Sequence, residues 1–168
     1  MGRIRGSVRA IVMTLDHAIG WLLVLAVILN GAAVFMRYVM LDSISWSEEG
    51  IRYLAVWITF LGGVTAAWMD EHLDMDVFGD MGAPWFQKLH RSSLQGLAAL
   101  FGAIVAWQGA IYCLKNGMQT APATGIKMIW VYSAIPLGGL LLLIVSLVKI
   151  YDVFFPPLVS DAGTKAVL

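Results

Sequence analysis

The sequence of 168 residues is 60% hydrophobic and only 13% charged, whereas a soluble domain is close to half apolar and about one quarter charged. It has 11 Lys and Arg residues and 11 Asp and Glu residues, so it lacks the basic excess that favours nucleic-acid binding. The single cysteine, Cys113, excludes an internal disulfide and a cysteine-based metal cluster.

The hydrophobic residues are concentrated in four stretches that contain no Asp, Glu, Lys, Arg or His. They have 19, 17, 23 and 21 residues, and a helix needs roughly 17–25 residues to cross about 30 Å of hydrocarbon. We therefore predict an all-α integral membrane protein with four transmembrane helices, in which residues 1–168 form a single membrane domain. The expected spans are about 14–36, 50–69, 92–114 and 128–150.

The first span is expected to remain in the mature protein. Its positively charged start resembles a secretory signal, but the apolar stretch that follows exceeds the roughly 7–15 residues of a signal core. Arg3, Arg5 and Arg9 precede this span, and Lys and Arg outside the spans are more numerous on the side of the termini. Because the cytoplasmic segments of membrane proteins carry an excess of Lys and Arg, we expect both termini in the cytoplasm.

Residues 84–91 lie just before the third span and leave two interpretations open. Three apolar residues fall on one helical face of this segment, while Lys88 and Arg91 would be directed toward water. This pattern is typical of a short helix in the membrane interface. An ordinary loop explains the same residues equally well.

The second span begins with charged residues that indicate a stabilised helix end. Ser45 and Glu48 have the spacing of a capping box, in which the Glu48 carboxylate reaches back to the Ser45 amide. Glu48 and Glu49 lie in the first turn, where the helix dipole favours anions. Arg52 follows them at four and three residues, so an ion pair within the helix is expected.

Small residues along the second span predict a helix-packing face. Such a ridge lets helix backbones approach closely in lipid, and it continues the line of Glu48 and Arg52. Its members are Ala55, Thr59, Gly63 and Ala67, widened by Gly62 and Ala66. The third span repeats the pattern at Gly96, Ala99, Ala103, Ala106 and Ala110. In the fourth span, Pro136 with Gly138 and Gly139 predicts a kink.

No acid, base or histidine lies near the centre of any span. Solute pathways usually contain such groups, and haem needs axial ligands within the bundle. The sequence shows no nucleophile–base arrangement, so we expect an accessory subunit and not an enzyme, with no cofactor of its own. The acidic segment 70–76 favours a solvated helix end over a cation site. Within it, His72 and Asp76 are four residues apart and could contact a neighbouring subunit.

The candidate interface residues are Arg37, Tyr38, Trp46, Glu48, Glu49, Arg52, Tyr53, Trp57, Thr59, Gly62, Gly63, Ala67, His72 and Asp76. A partly overlapping set has the order and spacing of a known family, namely residues 35–38, 46–49, 52, 53, 57, 60–62, 66, 72 and 76, followed by Gly125, Ile126, Tyr132 and residues 135–138. On these residues the chain resembles, over nearly its whole length, the DctQ-type small membrane subunit of tripartite ATP-independent periplasmic (TRAP) transporters.

The resemblance implies a division of labour within a transporter of the bacterial inner membrane. A periplasmic binding protein would deliver an organic acid, and a large permease subunit holding the sodium sites would import it. The small subunit would brace the permease, surrounded by membrane lipid. Segments 37–47 and 115–129 are expected to face the periplasm and to help dock the binding protein.

Two other functions remain open from the residues alone. The chain could anchor a respiratory oxidoreductase in the membrane, in which case the purified protein would bind haem or quinone. Alternatively, it could be a small exporter that works as a homodimer, in which case liposomes containing only this chain would transport solute.

Overall fold

The computed structural model describes residues 2–41, 45–69 and 84–154, and within them the chain is helical without a named strand. The helices are α1 Gly2–Tyr38, α2 Ser45–Trp68, α3 Pro84–Asn116, α4 Ile129–Tyr132 and α5 Ala134–Phe154. Four segments are long and apolar enough to cross a membrane, namely Val8–Tyr38, Ser45–Trp68, Ser92–Asn116 and Ile129–Asp152. The predicted all-α membrane fold with four spanning helices is confirmed.

The segment before the third span is neither a separate interfacial helix nor a loop. Residues 84–91 form the first turns of α3, which runs without interruption from Pro84 to Asn116. Proline is favoured in the first turn of a helix, and no Gly or Pro follows it before Gly96 to interrupt the helix. Neither of the two interpretations left open by the sequence, a separate short helix or a loop, describes this segment. With 33 residues, α3 is about 50 Å long at ~1.5 Å per residue, so it exceeds the ~30 Å hydrocarbon thickness.

The long helices form a row in which α1 packs mainly on α2, α2 on α5, and α5 on α3. We call one end of this row the loop end, because it contains residues 38–41 and the connection 117–128. The opposite end, with the start of α1 and the end of α5, is called the terminal end. Chain orientation across the membrane remains a prediction.

The contact between α3 and α5 is a close approach of two backbones. A Cβ added at Gly102 would lie 2.9 Å from the Gly139 carbonyl oxygen, and one added at Gly139 would lie 2.5 Å from the Ala106 nitrogen. A Cβ at Gly109 would lie 2.7 Å from Cγ2 of Ile135. We call these contacts the α3–α5 seam. Ala106 was expected in such a contact, whereas Gly102 and Gly109 were missed, and a Cβ at Gly96 would meet nothing within 4 Å.

The fourth span is interrupted at Ser133, three residues before the proline that was expected to kink it. Pro136 has no N–H to donate to the Tyr132 carbonyl, so one helical hydrogen bond is lost at this point. Gly138 then allows close packing on α2, because a Cβ there would lie 2.8 Å from Cβ of Phe60. The proline thus separates α4 from α5, and the glycines that follow serve helix packing.

The apolar core lies toward the terminal end, where α1, α2 and α5 meet. Its buried residues are Val8, Val12, Val64 and Val145. The Lys149 ammonium donates a hydrogen bond of 2.6 Å to the Ala67 carbonyl oxygen, which satisfies a carbonyl in the last turn of α2. Farther along α1, residues such as Trp21 and Val27 are exposed, as expected for side chains in contact with lipid.

Candidate functional site at the loop end

An ion pair joins the end of α1 to the start of α2. The Arg37 guanidinium donates a hydrogen bond to the Glu48 carboxylate, and both side chains are about half exposed. Arg37 lies in the last turn of α1 and Glu48 in the first turn of α2, so each charge also interacts favourably with its helix dipole. This pair holds the two helices together across a short connection.

The expected capping box takes a different form in the structure. Ser45 is the first helical residue of α2, whereas a capping residue is the one just before the helix. The Glu48 carboxylate accepts its hydrogen bond from Arg37. The expected pair within the helix is marginal, because the Arg52 guanidinium lies 4.0 Å from Glu48 and the Arg52 side chain is 76% exposed. Helical spacing within α2 could not identify Arg37 as the main partner of Glu48, because Arg37 lies in the last turn of the preceding helix.

The connection between α3 and α4 is a compact hairpin of residues 117–128, called here the 117–128 hairpin. Thr120 and Lys127 form an antiparallel bridge, and the Ala121 amide donates to the Ile126 carbonyl at 2.9 Å. Gly125 has a φ of +68°, which glycine adopts without the steric cost of a side chain. The hairpin therefore has a defined backbone.

Glu49 fastens this hairpin to α2. Its carboxylate accepts hydrogen bonds from the Ala123 amide at 3.2 Å, the Thr124 amide at 3.0 Å and the Thr124 hydroxyl at 3.1 Å. The hydroxyl of Tyr53, one turn along α2, donates to the same carboxylate at 3.3 Å. Because a charged acceptor strengthens each hydrogen bond, Glu49 is the main polar link between α2 and the hairpin.

The rest of the hairpin is held by packing on α3 and α4. Ala121 and Val131 are buried, and the rings of Tyr112 and Tyr132 meet edge to face with centroids 4.9 Å apart. The buried thiol of Cys113 lies 3.8 Å from the Ile129 carbonyl oxygen. Cys113 is therefore packed between α3 and α4.

The small-residue ridge of α2 is largely uncovered within the described part of the chain. Ala55 and Thr59 are exposed, and a Cβ added at Gly62 or Gly63 would meet nothing within 4 Å. The Thr59 hydroxyl donates to the Ala55 carbonyl of its own helix at 2.7 Å. We call residues Arg52, Ala55, Thr59, Gly62 and Gly63 the open face of α2.

Other predicted site residues lie in different surroundings. Ala67 packs against the core at the terminal end, whereas Tyr38 and Trp46 are exposed at the loop end and Trp57 is half-buried. His72 and Asp76 lie outside the described residues, as does the whole acidic segment 70–76.

Two comparisons with known proteins show what this chain is similar to. The family model "Tripartite ATP-independent periplasmic transporters, DctQ component" matches residues 23–155. A Haemophilus influenzae protein named "Putative TRAP transporter small permease protein" is 25% identical over 122 residues, which cover 73% of this chain and 76% of that protein. The chain therefore belongs to the DctQ family, the small permease component of TRAP transporters.

Proposed function

We propose that this chain is a non-catalytic subunit that braces the large permease of a sodium-coupled transporter. The permease would import an organic acid delivered by a periplasmic binding protein, across the bacterial inner membrane. The observation that carries the proposal is the open face of α2, which combines small residues with an exposed arginine and is not filled by the described part of this chain.

The open face has the chemistry of a helix-docking surface. Helix association in lipid depends on close packing, so small side chains are favoured where another helix contacts them. Arg52 lies on the same face near the membrane edge and is 76% exposed, and arginines at that depth usually have a polar partner. We infer that a permease helix packs on Gly62 and Gly63 and offers carbonyl or carboxylate oxygens to Arg52.

Copurification with the permease tests this assignment. In Gly63→Leu, the added Cβ would meet nothing within 4 Å among the described residues, so we expect the isolated chain to fold. The larger side chain should prevent close helix contact with the permease and lower the complex yield several-fold. Gly31→Leu is the matched control, because Gly31 is also helical and also has open space around it. Equal complex yields from the two variants would contradict the assignment.

We further propose that the loop end helps dock the binding protein, through segments 37–47 and 115–129. Exposed apolar side chains support this proposal, among them Leu41 at 88% and Met118 at 75% exposure. The Glu49 contacts give the 117–128 hairpin a fixed position on which a partner could dock.

Cysteine crosslinking tests the docking surface. Cysteines introduced at residues 41 and 118 in a Cys113→Ser background should crosslink to the binding protein in the assembled transporter, whereas one at exposed Leu97, far from the loop end, should not. A membrane-impermeant thiol reagent should label residues 41 and 118 from the periplasmic side. Labelling of these residues only from the cytoplasm would overturn the proposed orientation.

A further inference from the structure

A groove lies beside the α3–α5 seam, on a different helix pair from the open face of α2. It has a volume of about 490 Å³. Its lining residues are Gln108, Gly109, Ile111, Tyr112, Lys115 and Ile135. None of these residues takes part in the Glu49 or Arg37 contacts described above, so the groove needs its own explanation.

The polar residues of the groove follow one face of α3. Gln108, Tyr112 and Lys115 are spaced by four and three residues, so they lie one above another on the helix. All three are exposed, while Ile111 and Ile135 form a half-buried apolar floor. Gln108 lies about 10 Å from Lys115 along the helix axis, so the row extends from the end of α3 toward the hydrocarbon.

Lys115 provides an available positive charge at the upper end of the groove. It lies one residue before Asn116, which ends both α3 and its apolar spanning segment Ser92–Asn116, so we expect it near the headgroup level of the bilayer. Among the described residues its ammonium makes no ion pair with Asp or Glu. A lysine near the membrane surface attracts the anionic headgroups of lipids.

We propose that this groove binds an anionic phospholipid. The headgroup phosphate would lie on the Lys115 ammonium, and one acyl chain would lie on Ile111, one helical turn farther into the membrane, and on Ile135. A cation followed by an apolar floor is also the order of groups along a phospholipid.

A permease helix fits this groove less well than it fits the open face of α2. Helices in lipid approach through small residues, whereas the surroundings of this groove carry large exposed side chains, including Tyr112, Trp107 at 70% and Leu114 at 78% exposure. These side chains would keep another backbone at a distance, while a flexible acyl chain can pass between them.

Lipid titration of the full-length chain tests the proposal. Purified protein in mixed micelles would be titrated with dioleoyl phosphatidylglycerol or dioleoyl phosphatidylcholine, and bound lipid counted by native mass spectrometry. The wild-type chain should bind the anionic lipid about fivefold more tightly, consistent with ~1 kcal/mol from one lysine. Lys115→Ala should abolish this preference, whereas Lys127→Ala, which removes an exposed lysine of the hairpin, should retain it.

A second variant separates the groove from the charge. Ile111→Trp keeps Lys115 but fills the apolar floor, so both lipids should bind more weakly while circular dichroism shows unchanged helix content. Equal binding of the two lipids to the wild-type chain, or unchanged preference in Lys115→Ala, would overturn the proposal. In a Cys113→Ser background, efficient crosslinking of Gln108→Cys to the permease in the assembled complex, with loss of bound lipid, would also overturn it by identifying a protein occupant.

Discussion

The α3–α5 seam and the open face of α2 use the same residue types for different purposes. At the seam, a Cβ on Gly139 would lie 2.5 Å from the Ala106 nitrogen, so the glycine is required by contact within the chain. On α2, a Cβ on Gly62 or Gly63 would meet nothing within 4 Å in the described part of the chain. Small residues are therefore packed against another helix at the seam, whereas the described residues leave those of α2 uncovered.

This difference gives each glycine a distinct expected phenotype. Replacing a seam glycine should damage the isolated subunit, whereas replacing a glycine of the open face should damage only its association with another protein.

Gly139→Leu should destabilise the isolated chain by about 3 kcal/mol, at the upper end of the usual cost of overpacking. The contacting atoms are backbone atoms of α3, which cannot move aside as a flexible side chain would. Reversible unfolding in mixed micelles would measure the effect. Gly31→Leu is the control and should change stability by less than about 1 kcal/mol, the scale of the helix-propensity difference. Equal losses in the two variants would show that the seam is not tightly packed.

Glu49→Ala should loosen the 117–128 hairpin while the spanning helices persist. The amides of Ala123 and Thr124 lose their acceptor, so their hydrogen exchange should become several-fold faster. Glu49→Gln keeps one carbonyl oxygen without the charge and should fall between Ala and the wild type. Hydrogen-exchange mass spectrometry of the hairpin peptide measures the order, and unchanged exchange in Glu49→Ala would refute the role of this carboxylate.

Arg52→Ala should leave the isolated chain almost unchanged, because Arg52 is 76% exposed and only 4.0 Å from Glu48, and such surface pairs contribute little to stability. The yield of complex with the permease should nevertheless fall, since the variant removes the charge of the open face. Arg37→Ala provides the contrast, because it removes the link from α1 to Glu48 and should act on the chain itself. Normal complex yield and uptake with Arg52→Ala would remove this residue from the interface.

The sequence predicted which residues form the candidate site better than it predicted which of these residues contact one another. Arg37, Glu48, Glu49 and Tyr53 were all selected from the sequence as parts of one family pattern, and the structure places them together at the loop end. The partners were harder to predict. Glu48 was assigned to Ser45 and Arg52 through helical spacing, although its main contact is Arg37, and no local rule connects Glu49 with residues 74 or 75 positions away.

The helix boundaries show a similar division. Hydrophobicity located the four spans, because polar backbone groups in lipid must be satisfied within a helix and the bilayer sets the necessary length. The same signal could not show that α3 begins at Pro84, because residues 84–91 mix apolar and polar side chains and do not form a continuous apolar stretch. This pattern is compatible with a separate helix, a loop or an extension of the next span, and only the continuous backbone selects the extension.

The sequence by itself determined that this is a four-span helical membrane protein, and its motif residues indicated the family. Those properties depend on residue type and local spacing, which a linear sequence contains. Only the tertiary structure decided that Gly102, Gly109 and Gly139 are used within the chain while Gly62 and Gly63 are left open. It likewise decided that Glu49 holds the 117–128 hairpin, because distances between remote segments arise only when the helices pack.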